Sequence, residues 1–400
     1  MLSQQGIQVQ VLEGEDKLDN QPRACHYSAP ACFELARAKV LEKIKAEGFF
    51  PGSVCWRKKD GSRIVGLSNT DTPEDSPYRM VCLPLGRVIE IISEELLKQG
   101  TSELLMGHKV IGLGQTNSLA WVNVLTSSGD SQKLEADYIV GCDGANSQIR
   151  RSLFGDWEFP GWTWDKQIVA SNVYYDFEKF GYEDANFIVH PKDWYMAAKI
   201  TRDGMWRVTY GDVPDLTREQ YLERLPMRFK EMLPGQPEPI DFKLVNIGPY
   251  KMHQRIAKSL RSRRFLLAGD AAHLCNPFGG LGLTGGIADV GGLYDSLVGI
   301  HRGQADDSIL DKYSEVRRER YQNFVDPIST ENFRRLWSED PEKIIETDEF
   351  FMLARRMAID KEFSQEFQLG AMALQHDFTQ YYKVADGERN GIKEKTVTAK

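Results

Sequence analysis

The chain has 400 residues, 41% hydrophobic and 27% charged, with a formal net charge of −8. That length supplies a large core and suggests two interlocked domains, while the acidic balance excludes a broad nucleic-acid footprint. No window approaches the ~18 apolar residues of a membrane span, and no signal peptide is read ahead of the first strand.

The six cysteines (Cys25, Cys32, Cys55, Cys82, Cys142, Cys275) show no CxxC spacing and read as reduced thiols of a cytoplasmic protein. The seven histidines form no HxxxH cluster, so no metal is expected. Ile7, Val9 and Val11 alternate with Gln8 and Gln10, predicting a strand that ends at Glu13. In a dinucleotide fold an acid at that point hydrogen-bonds the adenosine ribose. The glycine fingerprint that should open the first helix, about 20 residues before such an acid, has no room in this chain. The first strand, its phosphate loop and most of the first helix are therefore expected to be missing, which leaves the 7–12 strand without a neighbour.

Ser28 and Pro30 signal a helix start, with Phe33, Ala36, Val40 and Ile44 on one face and Gly48 at its end. Residues 53–67 predict a hairpin turning at Asp60-Gly61. After a short strand over 79–85, Arg87 opens a helix with Val88, Ile92 and Leu96 inward. A meander of strands follows over 102–137, turning at Asn117-Ser118 and Ser128-Gly129-Asp130. Residues 136–143 form a strand ending in Asp143. That acid reaches a cofactor diphosphate only through a bridging cation such as Arg23, or through water, because two anions repel.

Residues 154–250 lose the strand–helix rhythm and are rich in Trp and Tyr. Alternation over 187–190, 195–200 and 206–210 predicts an antiparallel sheet. His190, Tyr195 and Arg207 are candidate polar handles of an apolar substrate pocket. The chain then reaches Arg264–Asp295, RFLLAGDAAHLCNPFGGLGLTGGIADVGGLYD. Phe265–Ala268 is an apolar run suited to a buried parallel strand, and Asp270 sits at its carboxyl end, where it can face a ligand. Gly279, Gly280, Gly282, Gly285 and Gly286 let the backbone approach a flat ligand and point N–H groups at it. Ile287, Val290, Leu293 and Leu297 predict a helix starting near Gly286, whose N-terminus favours an anion or an electron-rich ring. Residues 308–323 are a charged helix broken at Asp326-Pro327. Residues 331–385 are amphipathic helices, with Phe350, Phe351, Leu353 and Met357 on a face for core packing or a homodimer contact. The polar tail 386–400 is expected to be disordered.

Two of these segments carry a resemblance. Ala136–Leu153, ADYIVGCDGANSQIRRSL, is similar to the Asp-Gly signature of the para-hydroxybenzoate hydroxylase-like FAD-dependent monooxygenases, and Arg264–Asp295 to that family's second FAD signature. Fungal secondary-metabolism hydroxylases are the members it looks most like. The resemblance runs from about residue 6 to about residue 330. It implies an α/β protein: a Rossmann-like FAD-binding domain, without its first strand and Gly-rich loop, interlocked with an antiparallel-sheet substrate domain and C-terminal helices. The FAD domain takes 1–153, with 53–85 contributing to the substrate sheet, and resumes over 251–330. The substrate domain takes 154–250 and the C-terminal helices 331–385.

By the same resemblance Glu13 binds ribose and Arg23 pairs with the pyrophosphate region. Asp143 lies near the diphosphate, and Arg150 serves the nicotinamide cofactor. Asp270 holds the ribityl chain, Pro277 lies beside the ring, and the amides of Gly282, Leu283 and Thr284 meet the isoalloxazine. Arg87 carries over near the flavin, although Leu85 stands where the family has a flavin-touching Gln. Trp162-Thr163-Trp164 looks like a flavin-halogenase segment but lacks the Ile-Pro that follows it there, a coincidence.

The implied reaction uses NAD(P)H to reduce the flavin and O2 to form a C4a-hydroperoxide. One oxygen atom then passes to an electron-rich carbon of an aromatic or polyketide-like small molecule. No catalytic residue stands out. Two other readings stay open: a different flavin reaction, epoxidation or halogenation, and a truncated or non-catalytic remnant unable to hold FAD. On the missing first strand, the chain as it stands is expected to be poorly stable and to bind FAD weakly or not at all. Purification beside a chain extended upstream checks this, since equal flavin content in the two would refute it.

Overall fold

Runs of two to six apolar or alternating residues, punctuated by Gly, Asp and Pro, build most of the first half of the chain. The computed structural model describes residues 1–18, 23–70, 72 and 76–383, so Gln21, Pro22 and the 386–400 tail lie outside it. The first part comprises β1 (Val9–Leu12), β2 (His26–Tyr27), α1 (Ala29–Arg37), α2 (Leu41–Glu47), the hairpin β3 (Ser53–Lys58) and β4 (Arg63–Ser68), β5 (Val81–Cys82) and α3 (Leu85–Leu97). It continues through β6 (Ser102–Leu105), β7 (His108–Gln115), β8 (Ala120–Thr126), β9 (Ser131–Ala136), β10 (Ile139–Gly141) and α4 (Gln148–Phe154). The middle holds β11 (Gly161–Tyr174), β12 (Ala185–Val189), β13 (Tyr195–Lys199), β14 (Met205–Asp212), α5 (Arg218–Met232) and β15 (Lys243–Ile256). The last part holds β16 (Arg261–Ser262), β17 (Phe265–Leu267), β18 (His273–Leu274), α6 (Leu281–His301), α7 (Ile309–Arg320), α8 (Asp326–Leu336), α9 (Pro341–Thr347), α10 (Glu349–Met357) and α11 (Lys361–Leu369).

The fold is α/β. β1 is not left without a neighbour, as the sequence led one to expect, but runs parallel to β6 from Val9–Ser102 to Leu12–Leu105, and β10 runs parallel to β17 with β16 antiparallel on its other edge. β17 is wholly buried, and α4, α6 and α7 surround it in a core containing Ile149, Phe265, Leu266, Leu267, Leu293 and Tyr313. An eight-stranded sheet, in the order β18-β15-β11-β14-β13-β12-β3-β4, forms the second layer. The β3–β4 hairpin from the first part joins it through a parallel pairing of β3 with β12. Among the described residues no helix is long and apolar enough to cross a membrane.

The two faces of the large sheet do different work. Val169, Val173, Tyr195, Trp206, Val208 and Tyr210 pack with Tyr221, Leu225 and Phe229 of α5. On the other face Trp164, Ile168, Trp194 and Met252 meet Phe278 and, from α8, Phe333 and Leu336. Phe333 stands at the hub of this cluster. Its ring centroid lies 4.8 Å from Phe278 and Trp164 and 5.2 Å from Trp194.

Several boundaries differ from the sequence reading, each for a local reason. The first helix is two helices, because Lys39 adopts φ 63° between them. Its buried face is Ala31, Cys32 and Leu35, and Ala36 is exposed. In α3 it is Ile91 that turns inward, with Ile92 exposed. β15 carries the eight-stranded sheet past residue 250 to Ile256, and α5 lies in a stretch read only as sheet. Asp326-Pro327 does not stop the helix. A π turn over Tyr321–Val325 carries the chain into α8, with Pro327 at the start of that helix, immediately after the change of winding. In α10, Phe351, Ala354 and Met357 pack onto Val65 and Val189, so that face is core.

Phe333→Ala is expected to cost about 3–5 kcal/mol of stability, because a fully buried hub ring leaves a cavity between two layers. Denaturant melts of the two proteins measure the difference.

Candidate active site

The site grows from the end of β17. Ala268 is extended, and Gly269 turns with φ 60°, a left-handed value that favours glycine. Asp270 follows in a 3-10 turn over Gly269–Ala271. α6 begins at Leu281, five residues earlier than read from the sequence, with Gly280 at φ 64° as its N-cap. Gly282, Gly285 and Gly286 are therefore helical, and Val290, read as inward, is exposed. Their lack of side chains sets an approach distance: a Cβ on Gly286 would lie 3.1 Å from the Cα of Gly269. The first-turn N–H groups of α6, including Gly282 and Leu283, have no partner inside the helix and carry its partial positive charge. The Thr284 hydroxyl instead bonds the Gly280 carbonyl at 2.8 Å and lies 3.1 Å from Ser28 Oγ.

Solvent reaches Asp270 and Cys142, and Cys275 is half-buried. Yet enclosing protein raises the Asp270 carboxyl above the usual carboxylate range, against the pull of His273 and Arg23. The same enclosure pushes the thiols of Cys142 and Cys275 up to about 12. Groups that are accessible and enclosed at once are the walls of a cleft.

Across the cleft, three neighbouring strands set polar residues side by side. Asn172 of β11 is opposite Asn246 of β15 on one edge and Arg207 of β14 on the other. Opposed residues of antiparallel strands share a face, so Asn246, Asn172 and Arg207 form a row. Tyr250, four residues on from Asn246, lies on the same face. It is 39% exposed, yet its phenol is pushed up to about 12 by enclosure, against the charges of Arg207 and Arg23. Arg207 is buried. It donates Nε to Asn172 Oδ1 at 3.0 Å and NH1 to the carbonyl of Arg23. This is a direct bond between the substrate sheet and the segment preceding β2.

The structure thus brings Arg23, Arg207, Asp270 and the start of α6 together around one cleft, and adds Tyr250, Asn172 and Asn246. Nothing local in the sequence marks these three as functional. Pairing in register was the missing signal. Pro277 turns the chain by accepting bonds from Gly279 and Gly280 N–H, ahead of buried Phe278. Glu13 ends β1 as expected and caps its own turn, accepting from Glu15 N–H at 2.9 Å.

The remaining candidates are engaged in structural contacts. Asp143 accepts from Ser147 Oγ at 2.5 Å and from Ile149 N–H at 3.0 Å, so its carboxylate steadies the start of α4. Arg150 is buried and donates to the Ala271 and Ala145 carbonyls at 3.1 and 2.8 Å, with its guanidinium 3.7 Å from the Phe159 ring. It links α4 to the Asp270 turn. Arg87 is committed to Glu47, Glu90 and Glu94 on the surface. His190 accepts from Asp193 N–H at 2.8 Å in a tight turn. Tyr195 is buried against α5, its hydroxyl 2.7 Å from that of Tyr182.

These features fit the isoalloxazine end of FAD. The glycines leave the backbone open to close approach, the first-turn amides of α6 are available donors, and Asp270 is an exposed acid at the same turn. The family profile described as the FAD binding domain matches residues 1–327. Para-nitrophenol 4-monooxygenase of Pseudomonas sp. (strain WBC-3) is 35% identical over 370 residues, covering 92% of this chain and 90% of the relative. 6-Hydroxy-3-succinoylpyridine 3-monooxygenase HspB of Pseudomonas putida (strain DSM 28022 / S16) is 34% identical over 345 residues, covering 85% and 86%. The crystal structure of p-nitrophenol 4-monooxygenase PnpA from Pseudomonas putida DLL-E4 superimposes with a TM-score of 0.87 at 33% identity, covering 93% of each chain.

Gly286→Ala is expected to push the Gly269–Asp270 turn away from α6. Flavin affinity, followed by fluorescence titration, should fall, together with about 1–3 kcal/mol of stability, the typical penalty of overpacking.

Proposed function

Because this chain belongs to the FAD binding domain family and is an FAD-dependent monooxygenase with NAD(P)H as reductant, we propose that it hydroxylates a phenol- or hydroxypyridine-like ring in this cleft. When bound, FAD supplies the two-electron path from NAD(P)H to O2 and the activated oxygen atom. Asp270, the amides of Gly282, Leu283 and Thr284, Pro277, Arg23 and Glu13 are the residues that would hold it. The observation that carries the reading is Arg207, a buried guanidinium reaching from the substrate sheet to the Arg23 segment.

Each side chain then has a defined task. Arg207 places positive charge where the oxygen of an ionised phenol would lie, and a phenolate is the electron-rich form that accepts an electrophilic oxygen. Asn172 fixes the guanidinium, and Asn246, whose buried Oδ1 has no hydrogen-bond partner, offers an acceptor beside it. Tyr250, kept protonated by its surroundings, donates to the same oxygen. Ala170 and Gly248, paired between these handles, leave a flat floor for a ring. The Trp164–Trp194–Phe278–Phe333 cluster keeps water from one end of the cleft.

The names of the relatives, a nitrophenol and a hydroxypyridine monooxygenase, support a single-ring substrate over a polyketide-like one. Epoxidation and halogenation have no feature favouring them. A cytoplasmic, homodimeric enzyme also belongs to this proposal, with exposed Met352, Ile359, Phe367 and Leu369 as its apolar surface.

The FAD-loaded protein is tested with NAD(P)H, isotopically heavy O2 and para-nitrophenol. Substrate-stimulated NAD(P)H oxidation with one heavy oxygen in the organic product is expected. NAD(P)H oxidation indifferent to any phenol or hydroxypyridine would sink the proposal. Arg207→Met should raise KM by the equivalent of about 2–5 kcal/mol, the usual loss on truncating one member of a buried charge contact.

A further inference from the structure

Two cysteines far apart in sequence meet beside the cleft. β2 and β5 pair antiparallel with His26 opposite Cys82, and Leu83 N–H bonds the Cys25 carbonyl at 2.9 Å. Cys25 Sγ lies 3.2 Å from His26 Nδ1, and both sulfurs and the imidazole lie within 4.8 Å of one another. Cys25 and Cys82 are buried, His26 is half-buried, and its buried Nε2 has no hydrogen-bond partner. Exposed Arg23 and Ala24 immediately precede the pair, and Arg207 bonds the Arg23 carbonyl. The cluster is thus joined to the cleft along the chain, through the segment that Arg207 clamps. The monooxygenase site described above does not use it.

We propose that Cys25 and Cys82 form a reversible redox pair, in which hydrogen peroxide oxidises Cys25 to a sulfenic acid and Cys82 closes it to a disulfide. The two thiols are differentiated for these parts. Cys25 is held well below the usual thiol range by neighbouring Cys82 and by the charges of His26 and Arg207, which outweigh burial. Cys82 is raised well above it by burial and by Cys25. A thiolate is the nucleophile, and a nearby protonated thiol is the resolving partner.

The steps balance. The Cys25 thiolate attacks one peroxide oxygen, the O–O bond breaks, and the leaving hydroxide takes a proton from His26 to depart as water. The Cys82 sulfur then attacks the sulfenic sulfur, the S–O bond breaks, and a second water leaves with the Cys82 proton and the proton that stays on the sulfenic oxygen. His26 is left neutral, since the thiolate whose charge it balanced no longer exists. In sum, two thiols and one peroxide give one disulfide and two waters. Closure needs the sulfurs to come to about 2.05 Å across neighbouring strands, and a bond bent from its preferred geometry is readily reduced. The proposal rests on the monooxygenase reading only for the source of the oxidant, since O2 reduced by two electrons without transfer to substrate leaves as peroxide.

The competing occupant is a soft metal ion on the same three atoms. The Arg207 guanidinium, close enough to act on both thiols, disfavours a cation there.

The test uses the full chain loaded with FAD, reduced, given stoichiometric hydrogen peroxide, then alkylated and mapped by mass spectrometry. Because peroxide is added directly, a chain inactive toward phenols still gives a clear answer. The expected result is a loss of two hydrogens, a Cys25–Cys82 linked peptide, and full reversal by dithiothreitol. In Cys82→Ser, dimedone should trap a sulfenic acid at Cys25; in Cys25→Ser, Cys82 should stay reduced. Oxidation confined to Cys142 or Cys275, with Cys25 and Cys82 still alkylated after unfolding, would overturn the proposal. So would stoichiometric zinc in the purified protein that is lost in Cys25→Ser.

Discussion

One buried carboxylate holds the cofactor side of the cleft in place. Asp289, on α6, is fully buried, and its Oδ2 accepts from the Gly269 N–H at 2.9 Å and from His273 Nε2 at 2.8 Å. Its Oδ1 accepts from Arg317 Nε at 2.6 Å, and Arg317 in turn donates to the carbonyls of Gly285 and Leu374. Burial alone would raise this acid, but His273 and Arg317 outweigh it and hold Asp289 below its usual range. A buried charge persists only when paired and fully hydrogen-bonded. The pairing here ties the Asp270 turn, the first turns of α6, β18, α7 and the segment after α11 to one point.

The substrate side is fixed to that unit by two contacts of opposite character. Phe278 follows Pro277 and packs against both Trp194 and Phe333, an apolar joint without directional bonds. Arg207 makes the polar joint, through one carbonyl and one amide oxygen. The first sets the spacing of the layers and the second sets their register. A ring lying between them would meet carbon at one end and charge at the other.

The sequence made the cofactor side legible because its determinants are local. A short apolar run, an acid at its end and clustered glycines are consecutive, and they fold into a contiguous turn and helix. The start of α6 was read five residues late because glycine argues against helix by propensity, whereas here Gly286 is helical so that the Gly269 backbone can come close. The substrate side was legible as strands but not as a site. Arg207 was among the candidates, but so were Tyr195, which faces α5, and His190, which lies in a turn. Which face a strand residue takes depends on register with strands distant in sequence, as with Tyr250 opposite Ile168. Asp289 and the Cys25–His26–Cys82 cluster were invisible for the same reason. Nothing within ten residues of Asp289 announces that its partner on α7 is Arg317, and Cys25 and Cys82 meet only through the β2–β5 pairing.

The π turn between α7 and α8 has a bearing on how this architecture tolerates change. Asp326 N–H bonds Tyr321 O, one residue further back than in an α-helix, so the chain holds one residue more than regular winding would need. Deleting a residue within Tyr321–Val325 would let the backbone wind more regularly, at no loss of local hydrogen bonding. It would also rotate everything beyond by about 100°. Phe333 and Leu336 would then swing off Phe278 and out of the inter-layer joint. The irregularity is thus a phase correction between two rods, and a shortened, more ideal helix would be the less functional one.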